Sequence, residues 1–231
     1  MISRNSILSF LSVIILLIIL TSSASGPILP SAGHVTSEVR KFKVVPVQKF
    51  NLSIGKNWSL ISTPLRPVYP DVNNFLSPLE NWSQFETFDT YLDSWLVAAN
   101  GVPETYWGFH NVDVYHGYWL KINESGAPEK LEIEGIVLPE ISIPLVSGWN
   151  LIGFPMNTTE EVPIDTALSS INGNWTLLYK YNPETGNFSR AVAGIPWTPD
   201  SPWMANITIG YGYWINVKNN TTLRIYNNVI Y

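Results

Sequence analysis

No cysteine occurs anywhere in the chain. This excludes a disulfide framework, thiolate catalysis and thiolate-held metals. A chain of this length can bury a real core without staples. Their absence points to a host that stabilises exported proteins by packing, or to a habitat in which thiols are a liability. Charge is scarce as well: 13 basic and 18 acidic residues make up 13% of the chain and leave a net charge of −5. A nucleic-acid surface needs a basic face, so that partner class is excluded. There is no phosphate-cradling glycine loop, no Gly-x-Ser-x-Gly elbow and no His-Glu zinc-protease motif. After residue 20 no apolar run approaches the roughly 20 residues that span a bilayer.

What is present starts with an export signature. Arg4 supplies a positive start, Ile7 to Leu20 is apolar, and the small polar run Thr21-Ser22-Ser23-Ala24-Ser25 follows. The apolar stretch is short for an anchor, so residues 1–25 read as a cleavable signal peptide and the expected location is extracellular, at the cell surface. Contact with a membrane is expected only through an uncleaved signal. Solubility must come from Asn, Ser and Thr. Ten Asn-x-Ser/Thr acceptor sites occur, at Asn51, Asn57, Asn81, Asn123, Asn157, Asn174, Asn187, Asn206, Asn219 and Asn220, none with Pro in the middle. They predict dense N-glycosylation, and hence mark solvent-facing positions.

The dominant pattern is internal duplication. A shift of 91 aligns Phe50, Leu52, Ile54, Trp58, Leu60, Ile61 and Pro64 with Ile141, Ile143, Leu145, Trp149, Leu151, Ile152 and Pro155. A shift of 93 aligns Trp82, Phe88, Asp89 and Trp95 with Trp175, Tyr181, Asn182 and Phe188, and a shift of 95 aligns Gly117-Tyr118-Trp119 with Gly212-Tyr213-Trp214. The order never changes, so the chain reads as a leader with a spare strand (26–48) and two repeat domains (49–139 and 140–231).

Each repeat reads mostly as strand. Phe50-x-Leu52-x-Ile54 and Ile141-x-Ile143-x-Leu145 alternate with period two, the mark of a half-buried strand. Segments beginning at Trp58, Trp82, Tyr118 and Leu131, and their counterparts, follow the same reading. After Pro70 and Pro163 a short helix is expected, and Asn182-Pro183-Glu184-Thr185-Gly186 is a hairpin turn. The fold class is therefore all-β: two tandem homologous domains, sandwich- or barrel-like, each with one short helix. Period two also predicts that Asn57 and Ser59 face outward with Trp58 inward, and that Asn206 and Thr208 face outward around Ile207. The stretch Lys41 to Val47 aligns with the strand that closes repeat one, at Glu132 to Leu138. It is a candidate assembly strand carrying Phe42, Val44, Val45 and Val47, which either adds to its own first sheet or is donated to a neighbour.

The chemistry-bearing residues are few. His110 and His116 flank Asp113, but repeat two carries Tyr211 in place of His116, so no metal is expected. Asp89 and Asp93 become Asn182 and Gly186 in the second copy, and turn positions explain them. No catalytic residue and no cofactor is expected. Trp119 and Trp214 lie on the polar side of their strands, opposite Tyr118, Leu120 and Ile122 in the first copy. They either pack beneath a loop such as those carrying Trp107 or Trp203, or form a sugar-stacking platform or a subunit contact.

The landmarks Gly148-Trp149-Asn150-Leu151-Ile152-Gly153-Phe154-Pro155 and Gly210-Tyr211-Gly212-Tyr213-Trp214-Ile215 resemble a β-module found in duplicate in secreted and cell-surface proteins, especially of archaea. In the first copy Asn57 replaces the leading glycine. The resemblance covers about residues 50–231 and implies fold and location; it carries no catalytic residue. More loosely, the signal, the acceptor sites and the missing cysteine resemble thread-type filament subunits of thermoacidophilic archaea, which implies assembly through an N-terminal donor strand. The expected function is a glycosylated structural or assembly protein of the cell surface, with itself, other surface proteins and N-linked glycans as partners. The alternatives are a glycan- or polymer-binding module and, third, an extracellular hydrolase.

Overall fold

Alternation of apolar and polar residues produces strands with one buried face. The computed structural model describes residues 45–123, 129–195 and 203–227, and Lys43–Tyr231 form one compact unit. In the first repeat the elements are β1 (Gln48–Ile54), β2 (Asn57–Ile61), β3 (Arg66–Pro67), α1 (Val72–Leu76), β4 (Trp82–Asp89), β5 (Ser94–Ala99), β6 (Tyr118–Ile122) and β7 (Glu129–Ile136). The second repeat runs β8 (Glu140–Leu145), β9 (Gly148–Ile152), β10 (Val162–Pro163), α2 (Ile164–Ala167), β11 (Trp175–Asn182), β12 (Asn187–Val192), β13 (Asn206–Ile207), β14 (Tyr213–Val217) and β15 (Thr221–Tyr226). The chain is all-β and sandwich-like.

The two halves share one strand plan. A four-stranded antiparallel sheet has the order β2-β6-β4-β5 in the first and β9-β14-β11-β12 in the second. A second, shorter ladder faces it: β1 pairs with β7, and β8 with β15. Leu52, Ile54, Leu131 and Ile133 from that ladder meet Phe85, Tyr118, Leu120 and Ile122 from the sheet, with Val72, Phe75 and Leu76 of α1 closing the side. Ile141, Ile143, Leu223 and Ile225 meet Leu178, Tyr213 and Ile215 in the same way, with Ile164 and Ala167 of α2. The helix after Pro70 starts where Asp71 accepts from the backbone N–H of Asn73 and Asn74, an N-cap.

The outward–inward assignment at β2 requires correction. Ser59 is buried, and its Oγ accepts from the Gly55 N–H at 3.2 Å. Its counterpart Asn150 is also buried and bonds the N–H and the carbonyl of Val146. These inward polar groups tie the turn entering the strand. Asn57 and Gly148, which begin β2 and β9, both have positive φ, 66° and 100°. That left-handed step resets the alternation, so Trp58 and Trp149 face away from their own cores. Around Ile207, which is fully buried, Asn206 and Thr208 lie outward as expected.

The candidate assembly strand is divided. Phe42 and Val44 lie outside the described residues. Val45 and Val47 are exposed and belong to no strand, and the ladder with β7 begins only at Gln48.

Candidate functional site

The outer faces of the two four-stranded sheets meet at a seam, and its contacts come in reciprocal pairs. The Gly212 N–H donates to the Leu60 carbonyl at 3.0 Å, and the Gly117 N–H to the Leu151 carbonyl at 3.3 Å. Likewise Ser62 donates to Gly210 and Gly153 to Tyr115. Leu60 and Leu151 belong to neither core, yet both are fully buried, because the seam covers them. Glycine is required here by close approach: a Cβ on Gly212 would lie 2.8 Å from the Ile61 carbonyl oxygen, and one on Gly117 2.9 Å from that of Ile152.

Aromatic rings continue the reciprocity. Trp214 of β14 packs on Phe88 and Trp95 of the β4–β5 hairpin, with ring centroids 5.4 and 5.8 Å apart. Trp119 of β6 packs on Tyr181 and Phe188 of the β11–β12 hairpin, at 4.8 and 6.2 Å. Both tryptophans are therefore half-buried across the seam. The loop of Trp107 does not cover them: Trp107 packs edge-on against Trp82 and beside His110, while Arg190 lies over Trp203.

The two ends of the seam differ. At the Trp214 end a cleft of about 740 Å³ opens, walled by Phe88, Trp95, Trp149, Tyr179, Phe188 and Trp214. Trp95, Trp149 and Phe188 remain 47%, 40% and 49% exposed. Thr90, Asp93 and Ser147 supply polar groups to the lining. Among the described residues no lysine, arginine or histidine lines it, and Asp93 is its one charged group. At the Trp119 end the positions of Tyr179 and Asn216 are taken by Glu86 and Lys121. Lys121 lies over the Trp58 ring at 5.5 Å, and burial pushes the Glu86 carboxyl up despite the nearby Lys121 charge.

No protein-family model, no curated protein and no solved structure matches the chain.

A second cleft, of about 470 Å³, holds Asp89, Tyr91, His116 and Ser142. His116 Nδ1 sits 2.9 Å from both carboxylate oxygens of Asp113. Burial lowers the His116 pKa, but the hydrogen bond and charge of Asp113, with Asp89 behind, overcome it and leave the imidazole raised. Burial pushes Asp113 up, but His116 and two backbone N–H groups hold it below its ordinary value. Asp89 accepts from the N–H groups of Tyr91 and Leu92, as Asn182 does from Glu184 and Thr185, which is turn chemistry. Among the described residues, the pair of carboxylates that glycoside hydrolysis requires lines neither cleft. Among the described residues no cluster of three His, Asp or Glu could hold a metal ion.

None of the ten acceptor asparagines is buried. Asn51, Asn57, Asn123, Asn157, Asn187, Asn219 and Asn220 are exposed, and Asn81, Asn174 and Asn206 are half-buried. Sequence reasoning missed Trp95, Trp149, Tyr179 and Phe188 as one surface. The usable signal was the duplication itself, since Trp149 matches Trp58 and Phe188 matches Trp95.

Proposed function

We propose that the chain is an exported, N-glycosylated cell-surface protein that acts by binding a glycan or other surface polymer at the aromatic cleft. The observation that carries this reading is the cluster of six aromatic side chains around an open cleft at the seam, three of them exposed to solvent. Soluble proteins rarely leave large apolar surface together unless it binds something. The export signature and the surface position of every acceptor asparagine support the location. The test is sedimentation of the purified chain with the host's insoluble surface fraction. The chain should co-sediment, and a Trp95→Ala/Trp149→Ala variant should stay in the supernatant. Equal sedimentation of both would overturn the reading.

A second reading, a structural subunit that assembles through residues 41–48, is favoured by one observation: Val45 and Val47 are exposed outside the β1–β7 ladder. Apolar residues left outside their own ladder suit strand addition to a neighbour's sheet edge. Electron microscopy separates the two. Polymers of the full chain that become monomers on deletion of Gly26–Val47 support assembly; polymers unchanged by the deletion refute it.

A further inference from the structure

We infer that the occupant of the cleft is a neutral oligosaccharide, bound by stacking of its pyranose C–H faces on Trp149 and Trp95 and by hydroxyl contacts to Thr90, Asp93 and Ser147. The inference rests on the reading that the cleft is the binding surface. Three observations select this chemistry. First, the walls are almost wholly aromatic, with Val146 the one aliphatic side chain. An aromatic face carries negative quadrupolar charge. It attracts C–H bonds polarised by neighbouring oxygens better than the aliphatic surface of a helix or an acyl chain. Second, among the described residues the cleft lining has no cation and one carboxylate, and it sits in a chain of net charge −5. A uronate, sulfate or phosphate polymer would meet repulsion with no compensating ion pair. Third, three hydrogen-bonding side chains, Thr90, Asp93 and Ser147, line the cleft beside the rings, and a sugar offers both apolar C–H faces and hydroxyls to such a mixed lining. The volume lies within the roughly 300–1,000 Å³ of pockets that bury multi-ring ligands.

The reciprocal end of the seam shows what the duplication changed. There Lys121 and Glu86 stand at the positions equivalent to Asn216 and to the cleft residue Tyr179, and Lys121 lies over the ring of Trp58. A Lys–Glu pair stands at one end and exposed aromatic rings at the other, so the saccharide site is assigned to the cleft alone.

The experiment is titration of the mature full-length chain, followed by tryptophan fluorescence and calorimetry. The probes are cellohexaose, maltoheptaose and mannohexaose as neutral saccharides, oligogalacturonate as an anion, choline as an organic cation, and anilinonaphthalene sulfonate as an apolar dye. At least one neutral saccharide should bind saturably, with oligogalacturonate silent at the same concentration. Trp149→Ala should weaken binding by about tenfold or more, as loss of a central aromatic anchor does. Trp149→Phe, which keeps a ring, should retain most of the affinity and guards against a folding defect. Saturable binding of the dye or of choline that Trp149→Ala abolishes, with all three saccharides silent, would overturn the saccharide assignment and leave the cleft as a binding surface. Silence of every probe would overturn both.

Discussion

Substitution of Gly212 by alanine probes the seam at its tightest point. The new Cβ would lie 2.8 Å from the Ile61 carbonyl oxygen and 3.0 Å from both Cδ1 and Cγ of Leu60. The Leu60 side chain has no solvent to swing into, being fully buried, and the Leu60 carbonyl accepts the Gly212 N–H at this same spot. Relief therefore requires the two sheets to part by a few tenths of an ångström. Overpacking of this kind costs about 1–3 kcal/mol, and stretching the hydrogen bond adds up to about 1 kcal/mol. The stiffer unfolded chain of alanine returns about 0.4–1 kcal/mol. The net expectation is destabilisation of roughly 1–3 kcal/mol. In urea, followed by tryptophan fluorescence, the midpoint should fall by roughly 0.5–1 M with the slope unchanged. Gly117→Ala, the reciprocal position, should behave alike, and the double variant should lose less than the sum because both act on one seam. An unchanged or raised midpoint for either single variant would refute the reciprocal packing.

Other expected outcomes follow from individual side chains. Asn57→Gly should stabilise the chain by up to about 1 kcal/mol, because relief of the left-handed backbone at Asn57, about 1–2 kcal/mol, outweighs the roughly 0.4–1 kcal/mol lost to a more flexible unfolded chain; a lower melting temperature would contradict this. The His116–Asp113 pair contributes stability while His116 is protonated, so this contribution falls as pH rises through the raised His116 pKa, above its ordinary 6.5, and falls again in acid through the lowered Asp113 pKa. Both side chains are about two-fifths exposed and screened by water, so the effect is small. His116→Gln should flatten the decline of melting temperature between about pH 6 and 8, and an unaltered profile would contradict the pairing. Glycopeptide mass spectrometry should find higher occupancy at exposed Asn51, Asn157 and Asn187 than at Asn206 and Asn174, whose amides donate to Glu161 and to the Asn219 carbonyl. The reverse order would contradict the exposures.

Much of the architecture was legible in the chain because period-two alternation and the duplicated landmarks report on each repeat separately. The helices after Pro70 and Pro163, the Asn182–Gly186 hairpin turn and the strands beginning at Trp82, Trp175, Tyr118 and Tyr213 sit where local chemistry puts them. The orientation of Trp58 and Trp149 was not legible. It turns on a single positive-φ residue before each, and Asn57 does not announce that conformation as Gly148 does. The inward Ser59 and Asn150 reverse the simple rule because each satisfies the turn it closes. The cleft lay beyond reach for a different reason. Its rings come from β4, β5, β9, β11, β12 and β14, and only the packing of one repeat on the other gathers them. No periodicity within a repeat encodes a contact between repeats.

The indole N–H region of a two-dimensional NMR spectrum reads the aromatic cleft directly. The chain has ten tryptophans. On addition of the neutral saccharide that binds, the Trp95, Trp149 and Trp214 signals should shift together and saturably, while those of core-buried Trp82 and Trp175 stay in place. Shifts centred on Trp82, Trp107 or Trp175, with the three cleft indoles unmoved, would contradict binding at the cleft.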